Sequence, residues 1–111
     1  MVPVLDPRAL SERLVALPTV SRDSNLDLVV WVEGYLASQG ITTHRHWNAD
    51  RTKAALFAHV GPMVQGGVVL SGHSDVVPVD GQGWTRDPWT VIEQDGRLFG
   101  RGTRDMKSFN A

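Results

Sequence analysis

Val68-Val69-Leu70-Ser71-Gly72-His73-Ser74-Asp75 joins an uninterrupted apolar triplet to a glycine-bearing segment that carries an imidazole and a carboxylate. In a chain that otherwise alternates helical and strand patterns, such a run predicts a central strand covered on both faces, because a half-exposed strand would alternate polar and apolar residues. His73 then falls at the carboxyl end of that strand. Open α/β sheets bind ligands there, in the crevice beyond the backbone ladder. The stretch therefore predicts an α/β fold with its chemistry at His73.

Working outward toward the N-terminus, residues 54–60 and 41–47 alternate in strand fashion, and Gly61-Pro62 closes the later run as a turn. Before them, Leu28, Val32, Tyr35 and Leu36 share one face of a helix that runs to about Gln39 and stops at Gly40 with Ile41 behind it. Ser24 with Asp27 three residues on has the form of a capping box for that helix. Asp6-Pro7 reads as an N-cap followed by proline at the first helical position. Leu10, Leu14 and Leu17 then mark a short amphipathic helix that Pro18 ends. On the C-terminal side, residues 76–100 are rich in Asp, Gly, Pro and Trp, which predicts a long loop. A hairpin is expected where residues 89–93 and 97–99 flank Gln94-Asp95-Gly96.

Composition narrows the possible functions. The 111 residues suffice for one hydrophobic core, and the charged and hydrophobic fractions of 21% and 41% are those of a folding chain. A net charge of −1 offers no field for nucleic acid or an anionic membrane. Cysteine is absent, so disulfides, thiolate metal sites and thiol catalysis are excluded, and any metal must use nitrogen and oxygen ligands. Asp6 and Arg8 interrupt any signal-peptide core, and the run Leu28 to Val32 is far too short for a membrane span. The expected setting is the cytoplasm.

His73 and Asp75 are two residues apart, so in extended backbone they face the same side. A carboxylate so placed can accept a hydrogen bond from the ring nitrogen that is not on a metal, which fixes the tautomer and raises ligand basicity. Asp75 is thus an orienting partner in the catalytic site more than a ligand. Thirty residues on, Gly100-Arg101-Gly102-Thr103-Arg104-Asp105-Met106-Lys107 sets Asp105 in a glycine-bearing turn. Its two oxygens could bridge two cations about 3.5–4 Å apart, as in two-metal hydrolases. The same stretch begins like a nucleotide-binding fingerprint but has Asp105 where the third glycine belongs, so it reads as a tight turn.

Taken together, residues 69–78, then Trp84-Thr85-Arg86-Asp87-Pro88-Trp89, then residues 95–107 resemble the M20 family of metal-dependent amidohydrolases and peptidases. Leu17-Pro18-Thr19-Val20-Ser21 and the helix after it extend the likeness toward the N-terminus. The resemblance implies an α/β catalytic domain of the zinc-peptidase type with a mixed sheet and flanking helices. Residues 1–111 would be its N-terminal part, incomplete. It implies two zinc or cobalt ions, with His73 ligating one, Asp105 bridging both and Asp75 supporting His73. It also implies a small-molecule N-acyl amino acid substrate, N-acetylornithine in first place, in arginine biosynthesis, hydrolysed with a glutamate as general base. Succinyl-diaminopimelate and small dipeptides are the runner-up substrates, and a non-enzymatic, partner-dependent module is the alternative of a different class.

The resemblance equally implies partners that this sequence lacks. The family's adjacent glutamate pair, a further carboxylate and a late histidine have no counterpart, since the glutamates are Glu12, Glu33 and Glu93. The 111-residue chain is therefore expected to be inactive by itself and, with apolar sheet surface uncovered, prone to aggregate. Arg104, Ser108 and Asn110 depart from the family pattern, which favours a small residue or cysteine, a glycine and an apolar residue there. Other residues carry plainer expectations. His44 and His46 should be solvated on one strand face, His59 partly buried in a strand, and Arg86 and Lys107 part of solvated loops. Trp31, Trp47, Trp84 and Trp89 should serve as core and loop packing.

Overall fold

The computed structural model describes residues 3–111. In chain order its elements are α1 (Pro7–Val15), α2 (Leu26–Ser38), β1 (Thr43–Trp47), β2 (Ala54–Ala58), β3 (Ile92–Gln94), β4 (Arg97–Phe99) and α3 (Lys107–Asn110). The class is mixed α/β, with two small antiparallel sheets, β1–β2 and β3–β4.

Helix α1 starts as its sequence dictates. Asp6 stays extended and its carboxylate accepts the Ala9 N–H at 2.8 Å, satisfying one of the donors that a helix start leaves open. Leu14 and Val15 enter the core with Val20, Leu28, Val29, Ala54 and Val76. At α2 the expected capping box does not form. Ser24 Oγ accepts the nearer Leu26 N–H at 3.2 Å, and Asn25 occupies the cap position with its side chain turned away. That amide is engaged elsewhere: it donates to Ala54 O at 2.8 Å and accepts from Ala54 N at 3.0 Å, pairing with the first residue of β2 as a strand neighbour would. The far end of α2 closes with Ile41 N–H on Leu36 O at 2.9 Å, the glycine stop expected at Gly40.

β1 and β2 pair in register from Thr43 opposite Ala58 to Trp47 opposite Ala54. Glu33 of α2 forms an ion pair with Arg45 of β1, which ties this ribbon to the helix. The bond from Arg45, against the cost of partial burial, holds the Glu33 carboxyl below its ordinary 4.5. His44 and His46 are exposed along β1, as expected. His59 is not partly buried in a strand: β2 ends at Ala58, and the exposed ring sits 3.2 Å from Pro62 O.

β3 and β4 form the hairpin foreseen in the sequence. Asp95 and Gly96 both take positive φ, 52° and 71°, as a tight Asp-Gly turn between right-twisted strands requires. None of the four tryptophans joins the buried core. Trp31 stacks on Tyr35 with centroids 5.5 Å apart, and Arg13, Arg45 with Arg51, and Arg101 lie over Trp31, Trp47 and Trp84 respectively. These rings serve as half-buried plates under guanidinium groups.

The central strand is where expectation and structure part. Residues 68–70 have no regular structure, and Val68, Val69 and Leu70 are 87%, 83% and 83% exposed. A strand interior is stable only when its backbone groups have ladder partners on neighbouring strands, and among the described residues none pairs with this run. Val60, Met63 and Val64 are also exposed. The radius of gyration is 15.2 Å, against about 13 Å for a compact chain of this length. Near the expected strand the chain makes one parallel bridge, Val20 to Val76, with Val76 N–H on Thr19 O at 2.9 Å and Ser21 N–H on Val76 O at 3.0 Å.

Candidate metal centre

His73 lies in an irregular segment and is held from two sides. On one side Thr19 Oγ1 donates to Ser74 O at 2.5 Å, next to the Val20–Val76 bridge. On the other, the segment around α3 reaches it three times. Asn110 Nδ2 donates to His73 O at 2.9 Å, His73 N–H points to Met106 Sδ at 3.4 Å, and Asp105 meets the ring.

The ring nitrogens have separate carboxylate partners. Nδ1 lies 3.0 Å from Asp75 Oδ1 and 3.1 Å from the Asp75 carbonyl oxygen, and Nε2 lies 3.0 Å from Asp105 Oδ1. Partial desolvation opposes the charged ring. The Asp75 carbonyl, the Asp105 carboxylate and the two negative charges outweigh it and hold the pKa above its ordinary 6.5. All three residues singled out in the sequence are thus brought together, although Asp105 is 32 positions from His73.

The donor set suits a divalent transition metal, since imidazole nitrogen and carboxylate oxygen are ordinary zinc and cobalt ligands. The 3.0 Å between Nε2 and Oδ1 approaches the roughly 3.3 Å separating two ligand atoms of one tetrahedral zinc. Asp75 and Asp105 face opposite ring nitrogens, so they cannot complete one coordination shell with His73. Among the described residues no group of three or more His, Asp or Glu side chains is placed to hold one ion.

Lys107 is the residue the sequence misplaced most. It lies in no solvated loop: its side chain is fully buried, with Nζ donating to Leu14 O at 2.8 Å and Leu17 O at 2.7 Å. Burial pushes its pKa down to about 8. The stem passes Gly102, whose φ of 96° is strained for any other residue. A Cβ there would lie 3.1 Å from both Lys107 Cδ and Val76 Cγ1. Lys107 therefore fastens the segment after Asp105 to the carbonyl of Leu14 at the end of α1 and to that of Leu17 just beyond it.

Asp87 also has a structural role. It accepts Trp89 N–H at 3.0 Å and Thr90 Oγ1–H at 2.8 Å, bonds that hold its carboxyl below 3.8. Arg86, expected in a solvated loop, is half-buried. It donates to Gln94 Oε1 on β3 and lies over Phe99 of β4.

A cavity of about 610 Å³ adjoins His73 and Asp75, walled by Leu28, Val29 and Ala54 and edged by Asp23 and Lys107. The larger groove between α1 and α2, about 890 Å³, contains none of the site residues. No glutamate reaches the His73 cavity. Glu12 and Glu93 are paired with Arg8, and Glu33 with Arg45.

Residues 69–111, which include all three site residues, match Peptidase family M20/M25/M40. The chain is 40% identical over 110 residues to a protein named acetylornithine deacetylase from Edwardsiella ictaluri (strain 93-146), covering 93% of this chain and 28% of that protein. It is 38% identical over 105 residues to the protein of the same name from Shigella sonnei (strain Ss046), covering 88% and 27%. The resemblance read from the sequence is borne out, and the chain spans little more than a quarter of the length of these curated relatives. No helix of the described residues is long and apolar enough to cross a membrane.

Proposed function

We propose, from the premise that residues 69–111 carry the match to Peptidase family M20/M25/M40, that this chain is the N-terminal part of an M20-type amidohydrolase domain and holds half of its metal site. The observation that carries the reading is the convergence of His73 Nε2 and Asp105 Oδ1, 3.0 Å apart, from two separate glycine-bearing segments inside the matched region. In this reading His73 and Asp105 are metal ligands. Asp75 accepts a hydrogen bond from Nδ1–H, keeping the proton on that nitrogen, and so presents Nε2 with its lone pair toward the ion.

A bound zinc or cobalt ion would supply Lewis acidity, polarising the amide carbonyl and activating water. The chain's own residues orient that ion and place no glutamate at the cavity to serve as the general base the family uses, because each glutamate is paired with an arginine elsewhere. The relatives' name supports N-acetylornithine as substrate, and our reading sets the reaction in arginine biosynthesis in the cytoplasm. Succinyl-diaminopimelate and small dipeptides stay as alternatives within the same chemistry. A partner-dependent, non-enzymatic module is the second reading, favoured by the exposed Val68, Val69 and Leu70, which offer backbone to a strand from another chain.

The test is a hydrolysis assay of the purified 111-residue chain with N-acetylornithine and added zinc or cobalt. We expect no turnover above the uncatalysed rate. Turnover near that of a complete metal-dependent deacetylase would show that the ligand and base assignments are wrong.

A further inference from the structure

We propose that Asn110 is a positioning residue for His73, forming with Gly72 a latch that aims the imidazole at Asp105; the proposal rests on His73 being a metal ligand. Asn110 stands where the sequence pattern favours an apolar residue, and the structure gives the amide a use. Its Nδ2 donates to His73 O at 2.9 Å, fixing the backbone of the residue that carries the ring. The His73 segment has no sheet ladder on this side, so that bond and the His73 N–H contact with Met106 Sδ at 3.4 Å are what register it against α3.

Gly72 completes the fit for reasons of space. Its φ lies outside the left-handed region, yet a Cβ there would overlap Asn110 Oδ1 and come within 3.2 Å of Phe109 Cδ1. A bare glycine is what allows the amide to seat against the backbone. The other end of α3 is anchored independently, by Lys107 on the carbonyls of Leu14 and Leu17. The short helix thus links a fixed point on α1 to the His73 backbone, with Asp105 just before it.

The experiment compares the wild-type chain with Asn110→Ala, Asn110→Asp, Gly72→Ala and the Gly72→Ala/Asn110→Ala double variant. Two readouts are taken, backbone order parameters at residues 72–74 without metal and calorimetric zinc affinity. Loss of the amide donor is expected to drop those order parameters from about 0.85 to below about 0.6. Zinc affinity should weaken about tenfold, as for other partners of a ligand, with the melting temperature unchanged. Gly72→Ala should reproduce the defect, and in the Asn110→Ala background it should add little, because the two changes break one contact. Unchanged order at residues 72–74 in both Asn110 variants, or fully additive effects of Gly72→Ala and Asn110→Ala, overturns the latch. If the wild-type chain binds no zinc, the ligand assignment of His73 fails while the order parameters still decide whether the latch exists.

Discussion

Lys107→Ala is expected to destabilise the chain by about 3 kcal/mol, within the range for losing a buried long side chain together with its hydrogen bonds. Two losses add. The stem beside Gly102 leaves a cavity, and the carbonyls of Leu14, at the end of α1, and Leu17, just past it, lose the Nζ donor. One gain offsets them. The ammonium is buried at a cost, which its pKa of about 8 records, and the variant no longer bears that cost. The cavity and the lost donor at Leu17 O prevail because two short hydrogen bonds already compensate the charge. Domains of this size have total stabilities of roughly 5–15 kcal/mol, so urea unfolding should show a large fall in the midpoint. A midpoint shift equivalent to less than about 0.5 kcal/mol, the size of a surface substitution, would mean that Lys107 is exposed in solution.

His73→Ala is expected to reduce zinc binding below detection, leaving Asp105 as a lone exposed carboxylate. Asp75→Asn should weaken binding by about tenfold, since a neutral amide oxygen accepts the Nδ1–H hydrogen bond more weakly than a carboxylate and lends the ring less basicity at Nε2. His44→Ala should change nothing, because the β1 histidines have no carboxylate partner on their strand face. Visible absorption of added cobalt(II), read alongside calorimetry, checks all three. Binding that survives His73→Ala and disappears with His44→Ala would place the metal on β1 and remove the basis for the site described above.

The sequence made local elements legible and long-range ones only in part. Asp6-Pro7 specified the start of α1 because a cap needs only its own first turn, and Asp95-Gly96 specified the β3–β4 hairpin because few other pairs tolerate two positive φ angles. Val68-Val69-Leu70 misled because strand formation depends on partners, and an apolar run cannot by itself state where they are. The proximity of His73, Asp75 and Asp105 was anticipated through three ordered motifs taken together, which carry more information than a lone His-x-Asp. Lys107 and Asn110 were missed for a different reason. The partner that fixes each side chain is a carbonyl about 90 residues away for the buried Lys107 and 37 away for the exposed Asn110, and no local pattern records either. One signal was available: Lys107 is a lone lysine in a segment whose other basic residues are all arginine.

Zinc titration of the wild-type 111-residue chain by calorimetry tests the half-site most directly. Four-ligand zinc sites bind with about 10–16 kcal/mol, so a pair of donors should give a dissociation constant weaker than about 1 µM. The account predicts at most one ion per chain, bound in that weak range and lost in His73→Ala. Two ions bound tightly by the same chain would contradict it.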